Sequence, residues 1–297
     1  DHDDRLLPNA LAEVVRHINI NPASEVFYSD ECIIDPEGKI LGTYLKPGWS
    51  PLMHLSVNYT THLSTYRHDL IKRIGGWRAG FEGAQDHDLM LRAAETTDQA
   101  VVHIPMNLYQ WRSHELSTAS GSEAKPYAGN AGLKAVQEAC KRRGQSAEVT
   151  FEPQFHHYKI RFTIPDPQPL ISIIIPTKNS FPLINACLNS VFAKTTYRNF
   201  EIVLVDHSSN DPECLRLFAD LSQRYPQQFK HITYRGLFNF AALCQNGVQQ
   251  ARGEYILLLN NDTEVHTPTW LEELVAVAQL SDVGAVGCKL LYPNGRI

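Results

Sequence analysis

The amino-acid sequence predicts an α/β fold built on a doubly wound, mostly parallel sheet. Short β-branched runs alternate with segments of helical periodicity between residues 171 and 278. Polar side chains stand where the predicted strands end, namely at Thr177, Asp206 and Asp262. A doubly wound sheet binds its ligands beyond the carboxyl ends of its strands, so these three side chains mark the expected binding edge.

Local patterns define the strands and helices of this second part of the chain. A β-branched run, Ile171–Ile175, ends at Pro176, as is typical of a buried parallel strand. Two more apolar runs, 201–205 and 255–259, predict further strands. Apolar residues at helical spacing predict the intervening helices, at 183–193, 214–221 and 240–251.

The first part of the chain ends in a helix, a strand and a stiff spacer. Residues 128–143 have helical periodicity, and Gly144 follows as a typical residue after a helix C-terminus. Residues 158–164 alternate in polarity, which predicts a half-buried strand. We place the domain boundary in the proline-rich spacer 165–169.

The start of the chain resembles its end. Three pairs of segments match in order, namely 1–6 with 260–265, the helical stripe 11–18 with 271–278, and 38–40 with 295–297. This order favours an internal duplication with a repeat of about 260 residues. The chain then holds the later part of one copy followed by the early part of the next.

The duplication sets the predicted domain organisation. Residues 1–120 are predicted to be the C-terminal half of a first domain, 121–169 a helix, strand and linker, and 170–297 the N-terminal half of a second domain. Because the chain begins with Asp1 and not with Met, we expect the parent protein to extend upstream. A single permuted domain, in which the two halves complement each other, is an alternative hypothesis.

Composition and charge exclude several classes of protein. The chain is 43% hydrophobic and 20% charged, which is typical of a globular protein. Its net charge of −5 gives no electrostatic footprint for nucleic acid, so nucleic acid is not an expected partner. The longest apolar runs are far shorter than the ~20 residues that span a bilayer. The six cysteines include no C-x-x-C pair, which favours reduced thiols over a zinc site or a disulfide scaffold.

Carboxylates that follow predicted strands are candidates for a cation site. Asp1 and Asp3 in one copy, and Asp262 in the other, could supply oxygen ligands to a hard divalent cation whose shell nucleotide phosphates complete. The same residues could instead cap a helix or form a turn. Asp206 likewise has two interpretations, since it could accept a hydrogen bond from a base N–H or cap the turn that follows its strand.

A second group of candidates lies in the first part of the chain. Asp86 and Asp88 stand at the start of a predicted helix, where a carboxylate could deprotonate an acceptor hydroxyl or simply cap the helix. Trp111 and His114 belong to one aromatic segment. The histidine could bind a metal or phosphate, or lie on the surface without a ligand.

Taken together, these motifs resemble the inverting family 2 glycosyltransferases of the GT-A fold, specifically the tandem-domain bacterial enzymes of O-antigen and cell-surface polysaccharide assembly. The second part resembles the family's nucleotide-binding half in the motifs Ile171–Asn179, Val205–Ser209, Phe238–Leu243 and Leu258–Glu264. The first part resembles the acceptor half in the motifs Asp1–Asp4, Tyr28–Glu31, Gly75–Trp77, Gly83–Leu89 and Tyr109–Arg112.

The resemblance implies a role for individual residues. The nucleotide would be bound by Pro176, Thr177, Asn179 and Asp206. A Mn²⁺ or Mg²⁺ cofactor would be held by Asp1, Asp3, Asp262 and His114. Asp86 would be the catalytic general base, and Trp111 and Asp88 would bind the acceptor substrate.

The resemblance also implies a function, which is inverting, metal-dependent transfer of a sugar from a nucleoside diphosphate donor to a polysaccharide or lipid-linked acceptor. The expected location is the cytoplasm or the inner face of the membrane, and peripheral membrane association of the parent protein is left open. Two rival functions remain. A nucleotidyltransferase-like sugar-nucleotide enzyme would need a glycine-rich, basic phosphate loop where residues 176–179 stand, and a non-catalytic carbohydrate-binding module would bind sugar without metal.

Overall fold

The computed structural model describes residues 2–113 and 126–297 of the chain. The chain folds into two compact units, Asp1–Phe162 and Thr163–Ile297. The division between them falls inside the segment 121–169, which the sequence predicts as helix, strand and linker. Within the described ranges, no helix is long and apolar enough to cross a bilayer.

The first unit is built on a five-stranded mixed sheet. Its strands are β1 (Arg5–Leu6), β2 (Val26–Ile34), β3 (Ile40–Tyr44), β4 (Ser64–Tyr66) and β5 (Val101–Arg112). Their order is β1–β5–β2–β3, and β4 also pairs with β2. The β2–β5 pair is parallel, whereas the β1–β5, β2–β3 and β2–β4 pairs are antiparallel.

Helices cover both faces of this sheet. The helices of the first unit are α1 (Ala10–Ile20), α2 (Pro51–Ser56), α3 (His68–Arg73), α4 (Gln85–Thr96) and α5 (Pro126–Arg142). Because side chains alternate along a strand, Val26 and Tyr28 of β2 pack with α3 and α4, while Phe27 packs with α1 on the opposite face. The middle of β2 is therefore buried on both sides.

The end of the first unit is a helix and a hairpin. The hairpin joins β6 (Ala147–Glu152) to β7 (His157–Phe162) through a short 3-10 turn, and α5 packs against both α4 and β6. A side chain at Gly132 would overlap the hydroxyl of Tyr158, so this glycine lets α5 approach β7 closely. Residues 126–162, which the sequence places largely in a linker segment, pack as part of the first unit.

The second unit is a four-stranded sheet in which every neighbouring pair is parallel. Its strands are β8 (Ile171–Thr177), β9 (Phe200–Asp206), β10 (Phe229–Thr233) and β11 (Tyr255–Leu258), in the order β10–β9–β8–β11. Its helices are α6 (Phe181–Lys194), α7 (Pro212–Arg224), α8 (Phe240–Val248) and α9 (Trp270–Ala278).

Two cores lie on opposite faces of the parallel sheet. Ile171, Ile173 and Ile175 pack with α6, α7 and α9 on one face. Ile174 packs with Leu243 of α8 on the other face. The predicted α/β class with a doubly wound parallel sheet is therefore confirmed, and the purely parallel sheet belongs to the second unit.

The two helical stripes that the sequence aligns are buried to different extents. In α9, Leu271 and Val275 are buried. In α1, Val14 is buried, but Leu11 is 67% exposed and Val15 is 55% exposed. Both stripes form helices at the expected places, but only the stripe of α9 lies mainly in a core.

One turn occurs twice with the same geometry, and the two copies lie 257 residues apart in the chain. The Gly38 N–H donates to the Asp35 carbonyl at 3.0 Å, and the Gly295 N–H donates to the Tyr292 carbonyl at 2.8 Å. Both glycines have positive φ, at 95° and 78°, a region that favours glycine. A second bond closes each turn, from Asp35 N–H to the carbonyl of the residue after Gly38 at 2.9 Å and from Tyr292 N–H to the corresponding carbonyl at 2.7 Å.

Candidate functional site

The carboxyl ends of β8 and β9 bring two of the predicted nucleotide-binding residues side by side. Thr177 and Asp206 are partners in the parallel register, and both are buried. Asn261, which follows β11, donates from Nδ2 to Thr177 Oγ1 at 3.0 Å. Three strand ends of the second unit thus meet at one edge, as the sequence predicts for a ligand site beyond the strands.

Asn179 fastens the loop after β8 to the loop after β9. Its Oδ1 accepts the N–H groups of Asn210 at 2.9 Å and Asp211 at 3.1 Å, and its own N–H donates to Ser209 Oγ at 2.7 Å. The residue has a φ of 51°, a left-handed conformation that asparagine tolerates better than most residues. The Asn179 side chain is therefore a brace between the two loops.

Asp206 uses one of its oxygens to fix the turn that follows β9. Its Oδ1 accepts the Ser209 N–H at 2.9 Å and the Ser209 hydroxyl at 2.5 Å, while Oδ2 lies 3.4 Å from His231 Nε2. Burial alone would raise the pKa of Asp206, but the bonds from His231 and Ser209 outweigh it and hold the pKa below the ordinary value. The carboxylate is thus ionised near neutral pH, and it makes the turn contact that the sequence offers as one of two interpretations.

A cleft of about 210 Å³ opens at this edge of the second unit. Its lining includes the polar residues Thr177, Lys178 and Asn261 and the apolar residues Pro176, Phe238, Phe240 and Leu243. The cleft is therefore lined for a ligand that has both an apolar part and a polar or anionic part.

The turn after β11 carries the candidate metal ligand of the second unit. Asp262 is exposed, and the Thr263 N–H donates to the Asn260 carbonyl at 3.3 Å within this turn. Across the ranges that the structure describes, no group of three or more His, Cys, Asp or Glu side chains is placed to hold a metal ion. The oxygens of Asp262 and Asn260 suit a hard cation, which would take its remaining ligands from a diphosphate and water.

In the first unit, the loop before β1 is fastened to the end of β5. Asp4 accepts the Arg112 N–H at 2.7 Å and the Tyr109 hydroxyl at 2.5 Å, and the Asp3 carbonyl accepts from Arg112 Nε at 2.8 Å. Burial alone would raise the pKa of Asp4, but these hydrogen bonds lower it below its usual range. Of the predicted metal ligands in this unit, Asp3 is half-buried beside β5, whereas Asp1 and His114 lie outside the described residues.

Trp111 of β5 lies beside a histidine that the sequence does not single out. The His62 ring is 5.3 Å from the Trp111 ring and stacks on Tyr109 at 4.7 Å. His62 Nδ1 lies 2.9 Å from Oε2 of the buried Glu31, so this carboxylate fixes the orientation of the ring. His62 and Glu31 are 31 residues apart in the chain, and the pattern Tyr28–Glu31 was the sole sequence signal for this pair.

Asp86 stands in the first turn of α4 with both of its oxygens engaged. Oδ2 accepts from Asn58 Nδ2 at 3.0 Å, and Oδ1 accepts the His87 N–H at 2.9 Å. The side chain is half-buried, so it remains within reach of solvent. Asn58 is a further residue that the sequence interpretation misses, because nothing local indicates a contact across 28 residues.

Asp88, a predicted substrate ligand, is instead the centre of a buried ion-pair network. It is 1% exposed, and its oxygens pair with the guanidinium groups of Arg78 and Arg92. Arg92 also donates to the carbonyls of Ile74 at 2.7 Å and Gly76 at 2.8 Å. These contacts give Asp88 of α4 a structural role, with its carboxylate committed to arginine, although it lies only two residues from Asp86.

Comparisons with known proteins agree with this geometry. Residues 172–296 match the family model "Glycosyl transferase family 2". The chain is 40% identical over 295 residues to the O-antigen biosynthesis protein RfbC of Myxococcus xanthus, covering 99% of this chain and 23% of that protein. It is 38% identical over 299 residues to the uncharacterised protein y4gI of Sinorhizobium fredii, covering 100% of this chain and 33% of that protein.

Among solved structures, the chain is similar to the mannosyltransferase PcManGT from Pyrobaculum calidifontis in complex with GDP-Man and Mn²⁺. The TM-score is 0.40 at 20% identity, over 58% of this chain and 47% of the other. The chain spans a third or less of the length of RfbC and y4gI. The match over residues 172–296 shows that the second unit carries a family 2 glycosyltransferase domain, and the alignment with RfbC extends the similarity across the first unit.

Proposed function

We propose that this protein transfers a sugar, with inversion, from a nucleoside diphosphate sugar to a saccharide or lipid-linked acceptor during cell-surface polysaccharide assembly. The observation that carries the proposal is the cleft at the carboxyl ends of β8, β9 and β11, which lies inside the part of the chain that matches the family. The similarity to an O-antigen biosynthesis protein supports the acceptor class.

The second unit supplies donor binding in this proposal. Thr177 and the loops braced by Asn179 receive the nucleotide, and the exposed Lys178 supplies a positive charge for the phosphates. Asp206 holds the loop after β9 in place through Oδ1. Its Oδ2, which faces His231, is the proposed acceptor for an N–H group of the base. A divalent cation, held by Asp262 and the diphosphate, would offset the negative charge that builds up on the leaving group.

The first unit carries the acceptor chemistry of a separate copy of the domain. In an inverting transfer, the acceptor hydroxyl oxygen forms a bond to C1 of the sugar while the bond from C1 to the diphosphate oxygen breaks. The hydroxyl proton must leave at the same time, and Asp86 is the proposed base that receives it. Trp111 and the ring of His62 beside it form the aromatic surface on which an acceptor sugar is positioned.

We further propose that the two units are parts of two tandem copies of one domain. The repeated turn supports this, because the same hydrogen bonds and the same positive-φ glycine occur at Gly38 and Gly295. In that arrangement Asp86 serves the first copy and the cleft serves the second. Asp1, Asp3 and His114 would be the metal ligands of the first copy.

Thermal unfolding in the presence of nucleotides tests the donor site directly. The chain is melted with UDP, GDP or dTDP and Mn²⁺, and then with the same nucleotides and EDTA. A ligand that binds the folded state at 100 times its dissociation constant adds about 2.7 kcal/mol to the free energy of unfolding, so one nucleotide is expected to raise Tm when metal is present. A cooperative melt that none of the three nucleotides shifts would overturn the proposal for the second unit.

A further inference from the structure

The loop between β10 and α8, together with the first residue of α8, exposes a group of large apolar side chains. Leu237 is 92% exposed, Phe238 is 71% exposed and Phe240 is 51% exposed. Aromatic side chains of this size gain stability from burial, so a cluster that remains in water at a cleft marks a surface built to bind something.

The backbone that carries Phe238 is fixed on both sides. His207 Nε2 donates to the Gly236 carbonyl at 2.9 Å, and Ser208 Oγ donates to the Tyr234 carbonyl at 3.0 Å. After the loop, Asn239 caps α8 by accepting the Ala242 N–H on its side-chain oxygen at 3.0 Å. Phe238 is therefore presented from a held frame, and little further ordering of the backbone is needed when a ligand binds.

Phe238 faces the cleft together with His207. Their ring centroids are 5.8 Å apart at an angle of 48°. Because His207 Nε2 bonds to a carbonyl, it carries the proton, and Nδ1 is left as an acceptor. This Nδ1 is shielded from solvent and has no hydrogen-bond partner in the part of the chain that the structure describes. The exposed Phe238 ring, and not the shielded Nδ1, is therefore the group of this pair that a flat ligand can cover.

The polar and charged residues of the cleft restrict that ligand further. Lys178 lines the cleft and is exposed, and the candidate cation ligand Asp262 follows β11 at the same edge of the sheet. A ligand that suits both the aromatic and the charged residues has a flat aromatic part and an anionic part, which is the chemistry of a nucleoside diphosphate.

We propose that Phe238 is a nucleotide-binding residue, whose ring stacks on the base of the donor while the phosphates lie toward Lys178. This inference rests on the proposed function of the second unit and adds to it the residue that holds the base. The base then packs against an aromatic face, and the phosphate contacts are independent of that face. Loss of the ring should weaken the binding of every nucleotide and leave the binding of a base-free phosphate ligand unaffected.

Calorimetric titration of the full chain tests this with Phe238→Ala, using UDP, GDP, dTDP and inorganic pyrophosphate in Mg²⁺. Base stacking on an aromatic side chain lowers Kd by roughly 5- to 100-fold, so Phe238→Ala should raise Kd of the bound nucleotide by about 10-fold. Kd for pyrophosphate should stay within 2-fold, and Phe238→Trp should restore nucleotide affinity. Leu237→Ala is the matched control, since this neighbour is still more exposed and carries no ring.

The outcomes separate this inference from the function on which it rests. If the wild-type chain binds none of the nucleotides, the donor site itself is refuted and the inference with it. If the wild type binds a nucleotide and Phe238→Ala binds it equally well, only the inference is overturned. An equal loss of pyrophosphate and nucleotide affinity would also overturn it, because the ring would then support the cleft without touching the base. A melt without ligand is expected to be unchanged by Phe238→Ala, since the side chain is 71% exposed.

Discussion

Asn58 Nδ2 lies 3.0 Å from Asp86 Oδ2 and donates a hydrogen bond to it. The amide is itself oriented, because the hydroxyl of the buried Thr60 donates to Asn58 Oδ1 at 3.3 Å and leaves Nδ2 to face the carboxylate. The residue before α4, Ala84, has no side chain that could cap the helix. Asn58 therefore anchors the first turn of α4 from outside and holds the proposed base in one position.

Asp86→Asn should abolish most of the transfer that the first copy of the domain performs in the full-length protein. The amide keeps the shape of the side chain and its contact with Asn58, but it cannot receive the acceptor proton. General base catalysis typically contributes about 10²- to 10⁴-fold to the rate. The measurement is kcat with a labelled donor sugar. Asp69→Asn, an exposed carboxylate in α3, is the control and should keep wild-type activity. A rate for Asp86→Asn within 3-fold of the wild type would remove Asp86 from the mechanism.

Asn58→Asp should lower kcat more than it changes KM. The substitution keeps the size of the side chain but replaces the donor with a second carboxylate, so repulsion displaces Asp86 from its place. We expect a loss of roughly 10-fold in kcat, since small misplacements of a reacting group are costly. Asn9→Asp, at an exposed position before α1, introduces the same charge elsewhere in this unit. Equal activity of the two variants would show that Asn58 does not position the base.

Asp88→Asn should destabilise the first unit. It leaves Arg78 and Arg92 without their buried carboxylate, and breaking one side of such a pair costs about 3–5 kcal/mol. The free energy of unfolding in urea measures the loss, with the exposed Asp98→Asn as a control. If Asp88→Asn were as stable as the control while transfer was lost, the carboxylate would belong to the substrate site after all.

The stabilising contribution of Asp88 should disappear in acid. Burial alone would raise the pKa of this carboxyl group, but its bonds to Arg78 and Arg92 hold the pKa below the ordinary value of 3.8. A lowered folded-state pKa means that the unfolded chain takes up the proton first, so the contribution is complete well above pH 4 and is lost as pH falls through the folded-state value. The difference in unfolding free energy between wild type and Asp88→Asn should therefore shrink below about pH 4. A difference that stays constant from pH 7 to pH 3 would contradict the ion-pair account.

Asp262→Asn should remove the metal-dependent part of nucleotide binding. With a neutral amide in place of the carboxylate, the cation loses its one charged protein ligand in this turn, and the Tm rise caused by nucleotide and Mn²⁺ should fall to the value measured with EDTA. Asp282→Asn, an exposed carboxylate farther along the second unit, should retain the full rise. An undiminished Mn²⁺ effect in Asp262→Asn would place the metal on other residues.

Much of the second unit could be predicted from local sequence. The runs that form β8 and β9 are β-branched or continuously apolar, and the helices α6 and α7 show their spacing within a single window. Strand β10 was not predicted, because Phe229–Thr233 is short and includes Lys230 and His231. It becomes a strand through pairing with β9, which is a tertiary contact that no local pattern reveals.

Only part of the site could be predicted from the sequence, because most of its contacts are tertiary. Thr177 and Asp206 could be placed at one edge because parallel strands end together. Their engagement with Asn261 and Ser209, and the commitment of Asp88 to Arg78, depend on how side chains meet after folding. The contacts of Asn58 and His62 join residues about 30 positions apart in the chain. The sequence alone therefore could not decide whether a carboxylate caps a helix, forms a turn or faces a ligand.

Strand β11 forms an edge of the parallel sheet that is prone to association. Among the described residues it pairs with β8, and its other edge is unpaired, while Ile256 at 42% exposure and Leu258 at 58% exposure project from one face of the strand. A bare strand edge with apolar side chains is a template for a strand from another molecule, so concentrated samples are expected to associate through it. Light scattering measured against protein concentration should accordingly precede every titration. The substitution Ile256→Lys is expected to prevent this association, because it places a charge on the edge strand.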